Sequence, residues 1–95
     1  MANRKLRVTP SAIQDLQDGI AYYNTKQKGL GKRFENTVHE TLIKIQAMPQ
    51  AASMAYSDVR YKTVEHFPFI IIYDFDAIAI NVLRVFNTHL DPNNL

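Results

Sequence analysis

FPFIIIYDFDAIAINVLRVF, residues 67–86, is the stretch whose reading decides how this chain folds. Its β-branched and aromatic residues run with little polar interruption, the pattern of strands buried on both faces or nearly so. Two strands are predicted, roughly 69–75 and 78–86, with the turn at 74–77. A connection that short permits only antiparallel neighbours, which makes the pair a hairpin at the centre of a sheet. Arg84 sits inside the second strand. A guanidinium keeps its proton and is costly to bury unpaired, so Arg84 needs either an acidic partner within the fold or an anion outside it.

Working outward, DVRYKTVEH (58–66) reads as a further strand, more polar than the hairpin and therefore nearer an edge, separated from it by Pro68. At the other end of the chain, 4–9 alternates Leu6 and Val8 against basic residues, as a short edge strand does. Thr9, Pro10 and Ser11 then open a helix, with proline suited to the first helical position and Thr9 or Ser11 able to cap. Ile13, Leu16, Ile20 and Tyr23 recur at helical steps opposite Gln14, Asp15 and Asp18, carrying this helix to about Lys26. Gly29 and Gly31 supply the permissive backbone of a reversal. Leu30, Phe34, Val38, Leu42, Ile45 and Met48 continue at helical spacing until Pro49, a helix about 28 Å long. PQAASMAYS (49–57) reads as a loop, and order is expected to end near His89. The predicted fold is α+β with the order β-α-α-β-β-β, a helical hairpin packed on one face of a small antiparallel sheet.

The 95 residues suffice for one domain, 1–95, with its own core. Hydrophobic content of 46% with 21% charged residues is ordinary for a globular protein. No apolar run reaches the length of a membrane span, and the start MANRKLRVT has basic residues with no apolar segment behind them, so a cytoplasmic protein with no membrane partner is expected. Cysteine is absent, which excludes disulfide and thiolate chemistry; His39, His66 and His89 show no metal-ligand spacing, and neither metal nor cofactor is expected. A net charge of +2 is too small to argue for bulk nucleic-acid binding. Its distribution says more: Lys26, Lys28, Lys32 and Arg33 form an acid-free cluster at the junction of the two helices, either a solvated helix end or the seat of an acidic partner.

Three segments, TPSAIQDLQDGIAYYNTKQKGLGKRF (9–34), VRYKTVEHFPFIIIY (59–73) and VLRVFNTHLDPN (82–93), taken in this order, cover nearly the whole chain. Together they resemble the RelE/ParE superfamily of toxins from type II toxin–antitoxin modules, the plasmid stabilisation proteins. The Tyr22-Tyr23 pair, the Gly-Leu-Gly turn and the strand arginine followed by Phe-Pro-Phe look more like the ParE branch. The resemblance implies a small protein that arrests growth by poisoning an essential machine and is silenced by a cognate antitoxin. ParE-like members act on DNA gyrase, stabilising its cleaved complex, and are not enzymes; RelE-like members cut messenger RNA in the ribosome. A relative that has lost toxicity and keeps antitoxin binding is a third reading, suggested by Asn87, where relatives often carry histidine.

The nuclease reading has definite chemical needs. Attack of a ribose 2′-OH requires a group to take that proton, a group to protonate the leaving oxygen, and cations held against the phosphate. The resemblance puts Arg60 and Arg84 at the positions of the two sheet arginines used for phosphate, with Lys62 on the same strand face as Arg60 and His89 in the C-terminal stretch that carries the proton-transfer group. His66 could substitute only if its strand end turned it toward Arg60. Against this stands a purely internal reading, in which Arg84 pairs with Glu65 or Asp74 and Arg60 with Asp58. For the antitoxin, the resemblance points to contacts at Lys26, Lys28, Lys32 and Arg33 and at Arg60 and Lys62, through an acidic amphipathic segment. The common expectation is that the sheet's open side shows both Arg60 and Arg84 to something negatively charged.

Overall fold

The computed structural model describes residues 4–89. The central hairpin forms from β4 (Phe69–Phe75), with the bounds expected, and β5 (Ala79–Asn87), one residue later than expected at each end. Asp76 makes the reversal. Its Oδ1 accepts from the N–H groups of Ile78 (2.8 Å) and Ala79 (2.9 Å), and its own N–H donates to the carbonyl of Ala79 at 3.0 Å. A short acidic side chain that satisfies its own backbone in this way is what makes aspartate a turn residue.

Around the hairpin lie β1 (Lys5–Val8), β3 (Val59–Val64) and β2 (Ser53–Tyr56), giving a five-stranded sheet in the order β1-β5-β4-β3-β2. Two expectations are corrected. The segment expected as a loop at 49–57 contains a strand: Pro49–Ala51 forms a single 3-10 turn, and β2 pairs antiparallel with β3. The strand escapes a sequence reading because SMAY is four residues without alternation, and its structure comes from the ladder that β3 offers. The sheet is also not wholly antiparallel, since β1 pairs with β5 in parallel. The element order is therefore β-α-α-β-β-β-β.

Between β1 and β2 run α1 (Pro10–Lys26) and α2 (Leu30–Ala47). Thr9 caps α1, its Oγ1 accepting from the N–H of Ala12 at 3.1 Å and donating to the carbonyl of Leu83 at 2.9 Å, which ties the helix start to β5. Gly29, at φ 84°, turns the chain into α2. Close approach of the helices depends on Gly19: a Cβ there would lie 2.6 Å from Cε2 of Phe34, a ring that is fully buried. Neither helix, nor any other among the described residues, is long and apolar enough to cross a membrane.

The helices cover one face of the sheet. Phe34, Val38, Leu42 and Ile45 of α2 and Leu16, Ile20 and Tyr23 of α1 pack on Phe69, Ile71 and Tyr73 of β4 and on Ile80, Val82 and Val85 of β5. Tyr23, Phe34, Phe67 and Phe69 form an aromatic cluster with centroid separations of 4.7–6.2 Å. On the uncovered face Ile70, Ile72 and Phe86 form a second, smaller cluster with Val59, Tyr61 and Leu83. This is why the hairpin reads as apolar on both sides. One face packs on helices and the other packs on itself.

Candidate functional site

A β-bulge in β5 aims Arg84. Opposite residues of an antiparallel ladder share a face, and Tyr73 pairs with Val82 whereas Ile72 pairs with Arg84, leaving Leu83 as the extra residue. Val82 therefore faces the helices, while Leu83 and Arg84 both fall on the uncovered side. Without the bulge, strict alternation would have sent Arg84 to the same side as Val82.

From that side the Arg84 guanidinium meets Asp15 of α1 in a two-pronged contact, Nε to Oδ2 at 2.6 Å and Nη2 to Oδ1 at 2.9 Å. Asp15 Oδ2 also accepts the backbone N–H of Val85 at 3.0 Å. β1 stops pairing at Val8, beside Val82, so among the described residues the rest of this edge of β5 has no neighbouring strand. Thr9 and Asp15 satisfy part of it. The bond to Asp15 holds the Arg84 pKa above its ordinary value, outweighing the opposing effect of partial burial. Asp15 was expected on the solvent side of helix one, and the partners expected for Arg84 were Glu65 or Asp74; the real partner borders the apolar stripe, next to Leu16. The one sequence signal was the need of a strand arginine for a carboxylate.

Arg84 and His89 come together in a cleft of about 490 Å³ between α1 and the end of β5, whose helical wall includes Asp18, Gly19 and Tyr22. Asn87 also lines it, its Oδ1 accepting the backbone N–H of His89 at 2.8 Å.

Arg60 is not there. It pairs with Tyr73 in the ladder, and Tyr73 belongs to the helix-packed core, so Arg60 projects from the face opposite Arg84. Its Nη1 donates to the carbonyls of Gln50 (3.2 Å) and Ala52 (2.9 Å), and its guanidinium carbon lies 5.8 Å from the centroid of Phe75. Beside it the Tyr73 hydroxyl donates to the carbonyl of Pro49 at 2.6 Å. Burial raises the Tyr73 pKa, with the nearby Arg60 charge acting against it. Arg60 thus lies on the helix-covered side rather than the open face, and its hydrogen bonds go to the carbonyls of Gln50 and Ala52 rather than to Asp58. Lys62 follows the same alternation: it is half-buried, opposite Ile71, and lines a small polar cleft of about 110 Å³ with Glu40, Lys44 and Glu65.

The basic cluster is at one pole of the molecule. Lys26, Lys28, Lys32 and Arg33 are all exposed around the α1–α2 reversal. Lys26 lies 5.0 Å from the Tyr22 ring centroid, and Lys32 makes a loose 3.4 Å contact with Glu35. Arg33 shares a cleft with His66 and Phe67 from the β3–β4 turn, where His66 adopts a left-handed backbone at φ 69°. His66 is thus drawn to the helix reversal and away from Arg60.

The family described as "ParE toxin of type II toxin-antitoxin system, parDE" matches residues 6–92. Among solved structures, the chain is similar to one described as the chromosomal ParDE TA system from P. aeruginosa, with a TM-score of 0.80 and 21% identity over 90% of this chain and 97% of that chain. It is also similar to the YoeB dimer from Staphylococcus aureus, with a TM-score of 0.63 and 14% identity over 88% of this chain and 95% of that one. At such identities these likenesses speak for the fold alone. No curated protein sequence matches the chain. The family match extends across all the elements that build the sheet and both helices, and this chain belongs to the ParE toxin family of type II toxin–antitoxin systems.

Proposed function

We propose that this toxin inhibits DNA gyrase without performing a reaction of its own, acts in the cytoplasm, and is neutralised by a cognate antitoxin. The observation that carries the choice over messenger-RNA cleavage is the placement of the two sheet arginines. Arg60 and Arg84 project from opposite faces, Arg60 held by backbone carbonyls and Arg84 by Asp15. A phosphate clamp needs its cations on one side of the scissile bond, and here one guanidinium remains beside His89 with the other beyond the sheet. Binding to a protein target makes no such demand.

The test is a supercoiling assay with purified gyrase and toxin, read for both relaxed product and trapped cleavage complex. Loss of supercoiling with accumulated cleaved DNA is the expected result. Unimpaired supercoiling, together with cut transcripts in arrested cells, would instead favour the nuclease. For the antitoxin, Lys26, Lys28, Lys32 and Arg33 are the proposed contacts, since they are exposed at one pole and, among the described residues, only Lys32 has an acidic neighbour within ion-pair distance. Lys62, set between α2 and β3, is a weaker candidate than its sequence position suggested.

A further inference from the structure

Both prongs of the Arg84 guanidinium end on Asp15, and that contact bears on what the cleft between α1 and β5 can admit. The cleft gathers Arg84, His89 and Tyr22, a cation with two groups able to carry a proton, as a site for a phosphate would. It also holds Asp15 and Asp18, three residues apart on one side of α1. Two carboxylates against one guanidinium leave the cleft with a net charge of −1 when His89 is neutral. Asp18 accepts from the neutral Gln14 amide at 2.8 Å and, among the described residues, has no cation within ion-pair distance, so its charge is not offset.

A phosphate would seek the same fork of the guanidinium that Asp15 already fills. Asp15 belongs to the chain, so it occupies the fork without the loss of freedom that an incoming anion must bear. Nor is it free to withdraw. Its Oδ2 also accepts the Val85 N–H at 3.0 Å and its side chain is 16% exposed, so a phosphate that displaced it would lie against a half-buried carboxylate, with Asp18 on the next turn of the helix. At the remaining edge of the guanidinium the anion meets a charge that Asp15 has already neutralised. A pair that served only to tie α1 to β5 would need Asp15 alone. Asp18 makes no hydrogen bond to the sheet among the described residues, yet it lines the same cleft.

We infer that Asp15, reinforced by Asp18, is a specificity-determining residue that closes the Arg84–His89 cleft to phosphate groups, free or carried on a nucleic acid strand, and so restricts the toxin to a protein target. The inference deepens the gyrase reading and rests on it for the target alone.

The experiment titrates inorganic phosphate, and separately a single-stranded RNA dodecamer, at low ionic strength into the 95-residue chain. Wild type is compared with Asp15→Asn, Asp18→Asn and the double variant Asp15→Asn/Arg84→Gln, each checked for native circular dichroism, and NMR follows the backbone N–H signals of Val85 and Asn87, which line the cleft. Asparagine keeps an oxygen for the Val85 N–H and removes the charge. Asp15→Asn is expected to bind both probes about tenfold more tightly than wild type, since it abolishes a like-charge encounter; Asp18→Asn is expected to gain by a smaller factor, and the double variant to lose the gain. A role confined to tethering α1 would leave these affinities where they are. Equal affinity in wild type and a folded Asp15→Asn overturns the inference, as does a gain that persists without Arg84, which places the anion elsewhere. Should Asp15→Asn not fold, Asp18→Asn decides, and wild-type affinity there overturns the inference. A gain for inorganic phosphate with none for the dodecamer overturns the restriction to a protein target. The titrations contain no gyrase, so a failed supercoiling assay removes the gyrase target and leaves the exclusion of phosphate standing.

Discussion

Asp15 and Asp76 show how much one carboxylate can organise when it accepts backbone hydrogen. Asp15 joins α1 to β5 across a sequence separation of 69 residues, closing an edge N–H and fixing Arg84 with the same two oxygens. That Arg84 required an anion was legible from its place in an apolar strand. Which anion was not, because a contact so distant in sequence leaves no local periodicity to read. Asp76 acts locally. The N–H groups of Ala79 and Ile78 lower its pKa below 3.8, so the charged form is favoured in the folded state. A depressed carboxylate contributes stability that is fully present above its unfolded pKa and is lost as pH falls through the native one. The stability difference between wild type and Asp76→Ala, measured by urea denaturation, is therefore expected to be constant from pH 7 to about 5 and to shrink as pH is lowered past the ordinary carboxylate range. A difference that stays constant to pH 2 would show that Asp76 owes nothing to its charge.

At the scale of elements, the 3-10 turn at Pro49–Ala51 and the β2 strand that follows it are held by side chains of the opposing strands. Arg60 donates to the carbonyls on either side of Ala51, and Tyr73 donates to that of Pro49. Removing the Tyr73 hydroxyl leaves the carbonyl of buried Pro49 without a partner, at a cost of about 1–3 kcal/mol, and Tyr73→Phe is expected to lower unfolding free energy by that order in urea melts. The carbonyls bound by Arg60 are exposed or half-buried and open to water, so Arg60→Ala is expected to lower it by less. Because the two act on one turn, the double variant is expected to lose less than the two single losses added together. The same experiment separates roles for Arg60. Under the gyrase reading, Arg60→Ala at a temperature where it remains folded still arrests growth, whereas a phosphate-binding arginine would take toxicity with it. Segment 49–57 was opaque to sequence reading for a related reason: its order depends on these tertiary donors and on the β3 ladder, while SMAY itself has weak strand character.

For the whole molecule, the distribution of charge matters more than its sum. Four exposed cations, Lys26, Lys28, Lys32 and Arg33, gather at the helix reversal, with Glu35 the acid within ion-pair distance of Lys32. Exposed charges of one sign steer an oppositely charged partner and act chiefly on the association rate. Reversing Lys28 and Arg33 to glutamate is expected to slow antitoxin association several-fold at low ionic strength. The effect should fade near 1 M salt, where the screening length falls to about 3 Å. An unchanged rate at low salt would show the cluster to be solvated surface and nothing more.

Periodicity alone determined the two helices, the central hairpin and their order, because helical and strand spacings are properties of neighbours along the chain. The three segments quoted from 9–34, 59–73 and 82–93 were also enough to carry the family. Only the tertiary structure decided where the arginines went. A single bulge at Leu83 shifts the phase of β5 and sends Arg84 to the uncovered face, and ladder pairing with Tyr73 sends Arg60 to the other. In a strand of period 2, one extra residue exchanges inside for outside, and nothing in IAINVLRVF marks which residue that is.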